Sequence, residues 1–484
     1  MDEPRPGLRE RLRQMRWWHW FTLIFCSAWM AGLLWLMTGP ASDDPKQELA
    51  PVSYAGEVGV PGQVLLPSLR QRPVPGWRID LKALLPGTDE PQVEHIGDVG
   101  ARGYFTVIPK GQSPGEGRAW LLGVDVAQGV PSFTPVQIDN PAKLKCFLNG
   151  PVRVLCLNDF YGTAPTEAWV IDTQAGTVVS RGPSALKADA FGDEAGKIAQ
   201  VGPYVVAYEP GTGWHGINDQ ARFTWTVKAV DDTITTLDPQ PGMPTSSIGV
   251  AKIDKSRSAA FSAVDGTLLR KSGGTLLPVV GGGFVEQERE SKASRRILAS
   301  FAFFDDKGKR VGRYDNQDGY PDLLNPDYRG STELPVLSLS FIKQVLVLDN
   351  RGTPMTVVHV GTEGTPNAVR FVGDSLYLTQ SGWSADHRPA ASEKFDLRSG
   401  NRVSSCTGLP VEDGFVGSDG TVVLGREKTV GADEDEPTTV AVDSTTCTVL
   451  WQITEPVSMW AVGSTLVQAL PGSAELVSLV PATR

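Results

Sequence analysis

Eight short apolar strands recur along the chain, and each ends at an aspartate that is followed by a tight turn. The segments AWVIDTQAGTVV (168–179) and TVAVDSTTCTVLW (439–451) show the pattern most clearly. An aspartate at this point can accept hydrogen bonds from the next backbone amides. The marker residues are Asp125, Asp172, Asp231, Asp265, Asp306, Asp349, Asp396 and Asp443, separated by 47, 59, 34, 41, 43, 47 and 47 residues.

A spacing in the forties with strand signals alone is typical of four-stranded propeller blades. The sequence therefore predicts an all-β chain whose residues 76–484 form a β-propeller. The marker count gives eight blades, and the uneven gaps of 59 and 34 leave seven as the alternative. The early segment GWRIDL (76–81) is predicted to pair with the C-terminal strands and close the ring, which removes exposed sheet edges.

The repeats resemble the pyrroloquinoline-quinone-type β-propeller repeat, which reads apolar strand, Asp, Thr-Gly, apolar residues and Trp. The last repeat has Trp451 in place, and Cys447 stands where the glycine is expected. The resemblance covers about residues 76–484 and implies a fold rather than an activity. The family includes quinone-dependent dehydrogenases and non-enzymatic relatives such as an outer-membrane assembly lipoprotein. The adjacent cysteine pair of the dehydrogenases is missing from the sequence, so we expect the non-enzymatic branch and no quinone cofactor.

Residues 17–37 contain no Asp, Glu, Lys or Arg and are long enough to cross a bilayer as a helix. Five arginines precede them, which by the positive-inside rule places residues 1–16 in the cytoplasm and the body outside. A cleaved signal peptide is the alternative, but its apolar core is normally shorter. The sequence thus predicts a single-pass protein of the cell membrane, with a proline-rich extracytoplasmic linker over residues 38–75.

The four cysteines beyond the predicted membrane segment indicate two disulfides. Cys146 and Cys156 flank an Asn-Gly turn signal between two apolar runs, where a hairpin would bring them together. Local pairing then leaves Cys406 with Cys447. Three pairings are possible in principle, and four free buried thiols are the alternative.

The segment NQDGYPDLL (316–324) resembles the calcium loop of FG-GAP repeats. The resemblance implies Asn316, Asp318 and Asp322 as calcium ligands, with the backbone carbonyl of Tyr320. Tyr314 stands where the first carboxylate of that family belongs, so an unmetallated structural turn is the alternative.

No nucleophile motif or metal-spaced pair of histidines occurs in the sequence, and the net charge of −10 argues against a nucleic-acid partner. We therefore expect a non-catalytic scaffold of the cell envelope that binds a protein partner. The alternative is an envelope enzyme or carbohydrate-binding propeller with its site in the central channel. A sensor would need a partner for its output, because the predicted inner tail is short.

Overall fold

Seven of the eight strand-Asp-turn repeats form the third strand of an antiparallel sheet, the following turn and the start of the fourth strand. The computed structural model describes residue 49 and residues 52–482, except for 112–116, 160–164, 187–196, 238–240, 292–296, 317–321, 324–333, 340–342, 361–365, 381–390, 412–413, 428–437, 456 and 471–472. Within these residues there are nine sheets, which we number as blades 1–9.

In blades 1–8 the strands run from the innermost to the outermost in chain order, and in blade 1 both β5 and β6 pair with the third strand β4. In blade 9 the outermost strand is the N-terminal β1. Blade 1 comprises β2 (Pro91–Val99), β3 (Arg102–Pro109), β4 (Arg118–Asp125), β5 (Val130–Pro131) and β6 (Val136–Asp139). Blade 2 comprises β7 (Lys143–Leu148), β8 (Arg153–Asp159), β9 (Glu167–Asp172) and β10 (Thr177–Pro183). Blade 3 comprises β11 (Ile198–Val201), β12 (Tyr204–Glu209), β13 (Gly213–Ile217) and β14 (Phe223–Val227). Blade 4 comprises β15 (Ile234–Thr235), β16 (Ile248–Lys252), β17 (Ser258–Ser262) and β18 (Leu268–Ser272). Blade 5 comprises β19 (Thr275–Pro278), β20 (Phe284–Ser291), β21 (Ile297–Phe304) and β22 (Arg310–Asn316). Blade 6 comprises β23 (Asp322–Leu323), β24 (Val336–Leu339), β25 (Gln344–Leu348) and β26 (Pro354–His359). Blade 7 comprises β27 (Pro366–Val372), β28 (Ser375–Gln380), β29 (Ala391–Asp396) and β30 (Arg402–Thr407). Blade 8 comprises β31 (Phe415–Ser418), β32 (Val422–Glu427), β33 (Thr438–Asp443) and β34 (Thr448–Ile453). Blade 9 comprises β35 (Ser458–Val462), β36 (Thr465–Ala469), β37 (Glu475–Val480) and the N-terminal β1 (Val74–Asp80).

The ring is closed by β1, which pairs antiparallel with β37 and forms the outer strand of blade 9. A one-turn helix, α1 (Leu81–Leu84), follows it, and the Asp80 side chain accepts a hydrogen bond from the amide of Ala83 at 2.9 Å. The predicted closure by residues 76–81 is confirmed by this pairing. The outer side of β37 is thereby paired, and blade 9 is completed to four strands.

The core lies between the blades rather than at a single centre. Among the described residues, nine hydrophobic clusters occupy the nine interfaces between neighbouring blades. In β8, for example, Val154 packs toward blade 1 and Leu155 toward blade 3. Both faces of each central strand are buried, which explains why these strands are continuous apolar runs rather than alternating ones.

The prediction of eight blades is wrong, because the propeller has nine. Blade 9 contains no marker aspartate, since its third strand β37 is the last of the chain and its fourth strand comes from the N-terminus. The uneven gaps also have a structural cause. Asp231 follows the outer strand of blade 3, whereas the turn before that strand begins at Asn218, 46 residues after Asp172 and 47 before Asp265.

The membrane anchor predicted from the sequence is also corrected. In the part of the chain that the structure describes, no helix is long and apolar enough to span a bilayer. The segment proposed for that purpose, residues 17–37, and the predicted tail of residues 1–16 lie outside the described residues. The single-pass localisation with an extracytoplasmic body is therefore unsupported.

Residues 49 and 52–73, expected to form part of an extended linker, instead pack along the ring as a segment that we call the belt. Its apolar side chains contact successive interfaces between blades, with Val52 at blades 5 and 6, Val60 at blades 6 and 7, and Leu66 at blades 8 and 9. Two hydrogen bonds fix its later part: Leu66 N donates to the carbonyl of Ser418, and Leu69 N donates to Asp419. The belt thus contacts five blades, 5 to 9, before the chain enters β1.

Both predicted disulfides are present. Cys146 and Cys156 lie opposite each other on β7 and β8, within blade 2. Cys406 lies on the outer strand of blade 7, whereas Cys447 lies in the turn before the outer strand of blade 8. The second disulfide therefore links two neighbouring blades covalently.

Candidate functional site

A cavity of about 400 Å³ lies at the centre of the ring. Its wall is formed by the inner strands of blades 1, 2, 8 and 9, by the end of the inner strand in blade 3, and by residues 241–245 of blade 4. We call the side of the ring that bears the turns between third and fourth strands the turn face, and the opposite side the loop face. The segment that contains residues 241–245 belongs to the turn face.

On its turn-face side the cavity is lined by this segment of blade 4, which contacts the belt. Val64 N donates a hydrogen bond of 2.6 Å to the carbonyl of Gly242, and Gln63 Nε2 donates to the carbonyl of Phe371 in blade 7. Gly242 has φ +73°, and a Cβ there would lie 2.0 Å from the carbonyl oxygen of Val64. Only glycine allows this close approach. Contacts from blade 4 and from blade 7 thus meet at the belt beside the cavity.

His95, in the middle of β2, forms part of the cavity wall. Its ring lies among aromatic side chains, 5.3 Å from the Phe105 ring centroid and 6.1 Å from that of Trp460. Burial lowers the pKa of His95 to about 4, although a hydrogen bond to the backbone of Gly97 acts in the opposite direction. The imidazole is therefore neutral at pH 7. Its Nε2 is buried and has no hydrogen-bond partner.

Asp98 lies three residues farther along β2, at the end of the strand nearest the turn face. Burial raises the pKa of its carboxyl group to about 6. One carboxylate oxygen lies 3.9 Å from Nε2 of His95, which is too long for a hydrogen bond. The pair therefore presents two acceptors, a ring nitrogen and a carboxylate, with room for a donor between them.

Arg426 lies in the cavity wall at the loop-face end of β32 in blade 8. Its Nε is buried and has no hydrogen-bond partner. The neighbouring part of the wall is apolar, with Phe415, Met459 and Trp460. The cavity thus has acceptors toward one end, a cation at the other and aromatic and thioether groups between them.

The predicted calcium ligands are not assembled into a site that the structure describes. Asn316 ends β22 in blade 5 and Asp322 begins β23 in blade 6, so the segment connects two blades on the loop face. Asp318 and Tyr320 lie outside the described residues. Within the described ranges, no group of three or more His, Cys, Asp or Glu side chains could hold a metal ion. Calcium binding by this segment stays a prediction.

Sequence reasoning did not identify the residues of the cavity. His95 and Asp98 come from blade 1, Arg426 and Phe415 from blade 8, and Trp460 from blade 9. Because each blade contributes one or two side chains, no linear motif marks the site. The available signal is positional: each of these residues lies on one of the two innermost strands of a blade.

Closed rings of four-stranded antiparallel sheets define the class of β-propellers, and this chain is one with nine blades. It belongs to the family of conjugation-associated 9-bladed β-propeller domains, and the family model matches residues 50–482. The pyrroloquinoline-quinone-type family indicated by the repeats is not confirmed. That resemblance correctly predicted the architecture of the blades but not their family.

An uncharacterized protein of Mycolicibacterium smegmatis (strain MKD8) is 31% identical to this chain over 480 residues, covering 93% of each. Among solved structures, BamB from Moraxella catarrhalis aligns with a TM-score of 0.39 and 8% identity, over 85% of this chain and 98% of that one. The computationally designed Ika8 protein aligns with a TM-score of 0.34 and 10% identity, over 70% of this chain and 95% of that one.

Proposed function

We propose that this protein is a non-catalytic scaffold of a conjugation apparatus and that it binds a protein partner through its loop face. The single observation that carries the proposal is a set of three long connections between described strands on the loop face. All eight turns between third and fourth strands within blades 1–8 are four or five residues long. On the loop face, ten residues separate Gln380 from Ala391 and Glu427 from Thr438, and fourteen separate Pro183 from Ile198. The turn face also has two connections of twelve residues, after β15 and after β23. Described residues of both are held by other parts of the fold, since Gly242 accepts a hydrogen bond from the belt and Leu334 is buried between blades 6 and 7.

Long connections on a rigid scaffold are where binding residues concentrate. The strands of the closed ring hold the bases of these connections in place, which limits the ordering cost of binding a partner. The family description supplies the process, conjugation, in which such a partner would be found.

The proposal is tested by measuring the frequency of DNA transfer from donor cells. In these cells the wild-type protein is replaced by a variant. Lys228→Glu with Lys255→Glu reverses two exposed charges on the loop face. Lys307→Glu with Arg398→Glu makes the matched change at exposed turn-face positions. We expect the loop-face pair to lower transfer at least about tenfold, the equivalent of 1.4 kcal/mol of lost binding, and the turn-face pair to transfer as the wild type does. Equal transfer by both pairs would contradict the assignment of the loop face.

A further inference from the structure

The central cavity has the chemical features of a site for a small ligand, independently of the partner proposed above. Its volume of about 400 Å³ is in the range of small-ligand pockets. Such pockets are mostly apolar and contain a few polar groups that fix the orientation of the ligand. Here the apolar part includes Phe415, Met459 and Trp460, and the ionisable groups are His95, Asp98 and Arg426.

The polar groups require a ligand that donates at one end and accepts at the other. His95 Nε2 and Asp98 Oδ1 are 3.9 Å apart and both accept, so a single ammonium or N–H group could contact them together. Arg426 only donates, and its Nε is buried without a partner. Buried polar atoms are normally satisfied, and unpaired ones are costly.

The two ends are separated along the axis of the ring. Asp98 is the next-to-last residue of an inner strand that runs toward the turn face. Arg426 is the next-to-last residue of a second strand, which runs toward the loop face. A ligand that reaches both would therefore lie along the axis, with its donor end deeper and its acceptor end nearer the loop face.

We propose that the central cavity binds a short apolar peptide whose amine lies between His95 and Asp98 and whose carboxylate binds Arg426. A charged amine is complementary to a carboxylate, and a guanidinium binds carboxylates through strong charge-assisted hydrogen bonds. The side chains of the peptide would contact Trp460, Met459 and Phe415. A carbohydrate fits less well, because the apolar part of the wall offers few groups for its many hydroxyls.

The test is calorimetric titration of the full-length protein with a panel of dipeptides built from Leu, Met, Phe and Val. Each is used in its free form, with an acetylated amine, and with an amidated carboxylate. We expect at least one free dipeptide to bind, and each blocked form of it to bind at least tenfold more weakly. A ten-residue peptide that begins with the same two residues has a peptide bond where the dipeptide has its carboxylate, so it should bind as weakly as the amidated form. Undiminished binding of this peptide would show that the site takes the N-terminus of a chain and would overturn the role of Arg426.

Variants assign the two ends. Arg426→Gln should weaken the free dipeptide about tenfold and leave its amidated form unchanged, whereas Asp98→Asn should weaken the free form more than the acetylated form. Arg102→Gln, at an exposed arginine outside the cavity, is the matched control and should bind as the wild type does. Thermal unfolding without ligand shows whether each variant folds.

The inference is overturned if no dipeptide binds at concentrations up to about 10 mM, or if Arg426→Gln and Asp98→Asn bind the free form as the wild type does. Neither result would affect the partner proposal, which is measured by DNA transfer.

Discussion

At the scale of single residues, the repeated turn depends on one side chain that accepts hydrogen bonds from backbone amides. In blade 2, Asp172 accepts from the amides of Gln174 and Ala175. In blade 3 the same function is performed by Asn218, which accepts from Gln220 and Arg222. The sequence pattern correctly predicted the turn but not always the residue that accepts these hydrogen bonds. The side-chain oxygen of Asn can accept from backbone amides as that of Asp does.

Blade 5 allows a direct test of this function, because two aspartates are adjacent. Asp305 accepts from the amides of Lys307 and Lys309 at 3.0 and 2.8 Å. Asp306, which the sequence pattern marked, is exposed. We expect Asp305→Ala to lower the free energy of unfolding by about 1–2 kcal/mol, since two hydrogen bonds are lost. Asp306→Ala is the control and should change it by less than about 0.5 kcal/mol. Urea denaturation measures both, and equal losses would contradict the assignment.

The glycine of the repeated turn is required by packing between blades. Gly266 in blade 4 has φ +73°, and a Cβ there would lie 2.6 Å from the Trp225 ring on the outer strand of blade 3. Gly400 in blade 7 has φ +70°, and a Cβ would lie 2.3 Å from the carbonyl oxygen of Val357 in blade 6. In blade 8 this position is Cys447, with φ +60°, and its side chain bonds to Cys406 of blade 7. The disulfide thus replaces the glycine contact.

The second prediction separates the disulfide from the backbone conformation. Removing the bridge by Cys406→Ser with Cys447→Ser should lower the free energy of unfolding by about 2–4 kcal/mol, because the bridge closes a loop of 41 residues. Cys406→Ser with Cys447→Gly should recover about 1 kcal/mol of this loss, since glycine adopts positive φ without strain. Denaturation under oxidising conditions compares them. If the glycine variant is the less stable of the two, the turn explanation fails.

The third prediction concerns His95 and Asp98, the two titratable groups of the cavity. Their contributions to stability change with pH in opposite directions. The pKa of Asp98 rises from 3.8 to about 6 on folding, so its contribution to stability falls as the pH increases between those values. The pKa of His95 falls from 6.5 to about 4, so its contribution falls as the pH decreases between those values. In the wild type the two effects partly cancel.

Asp98→Asn should therefore gain stability relative to the wild type as the pH is raised from 4 to 6. The expected gain is about 1 kcal/mol, because the Asp98 side chain is 39% exposed and solvent screens its charge. His95→Asn should gain relative stability in the opposite direction, as the pH is lowered from 6.5 to 4. Thermal midpoints at several pH values measure both. Parallel pH profiles of the two variants and the wild type would contradict the burial of these groups.

At the scale of elements, the belt is the part of the fold that sequence reasoning interpreted least well. Its prolines favoured an extended linker, yet its apolar residues lie at successive interfaces between blades. Leu66 is buried against blades 8 and 9, whereas Val64 is 44% exposed. The side chains that determine this packing are spaced irregularly, because they follow the spacing of the blades rather than the period of a helix or strand.

The fourth prediction tests the belt. Leu66→Ala should lower the free energy of unfolding by about 2–4 kcal/mol, because a buried side chain leaves a cavity. Val64→Ala, two residues away on the same segment, should lower it by less than about 1 kcal/mol, since little buried area is lost. Chemical denaturation compares the two. Similar small losses from both would show that the belt does not contribute to the core.

At the scale of the whole molecule, the sequence predicted the architecture of the blades because each repeats the same local chemistry. The closure by β1 was also predictable, since residues 76–81 had no blade of their own. The number of blades was not, because blade 9 is divided between the two ends of the chain and lacks a marker aspartate. The cavity could not be predicted either, since His95, Arg426 and Trp460 meet only when the ring closes.

The central claim, that the loop face binds a protein partner, is tested most directly by photo-crosslinking in donor cells. A photoreactive amino acid is placed at Lys228 or Lys255 on the loop face, or at Lys307 or Arg398 on the turn face, all of which are exposed. The account predicts a discrete crosslinked product of one mass from the loop-face positions and none of that mass from the turn-face positions. Crosslinks from the turn face alone, or from neither face in cells that transfer DNA normally, would contradict it.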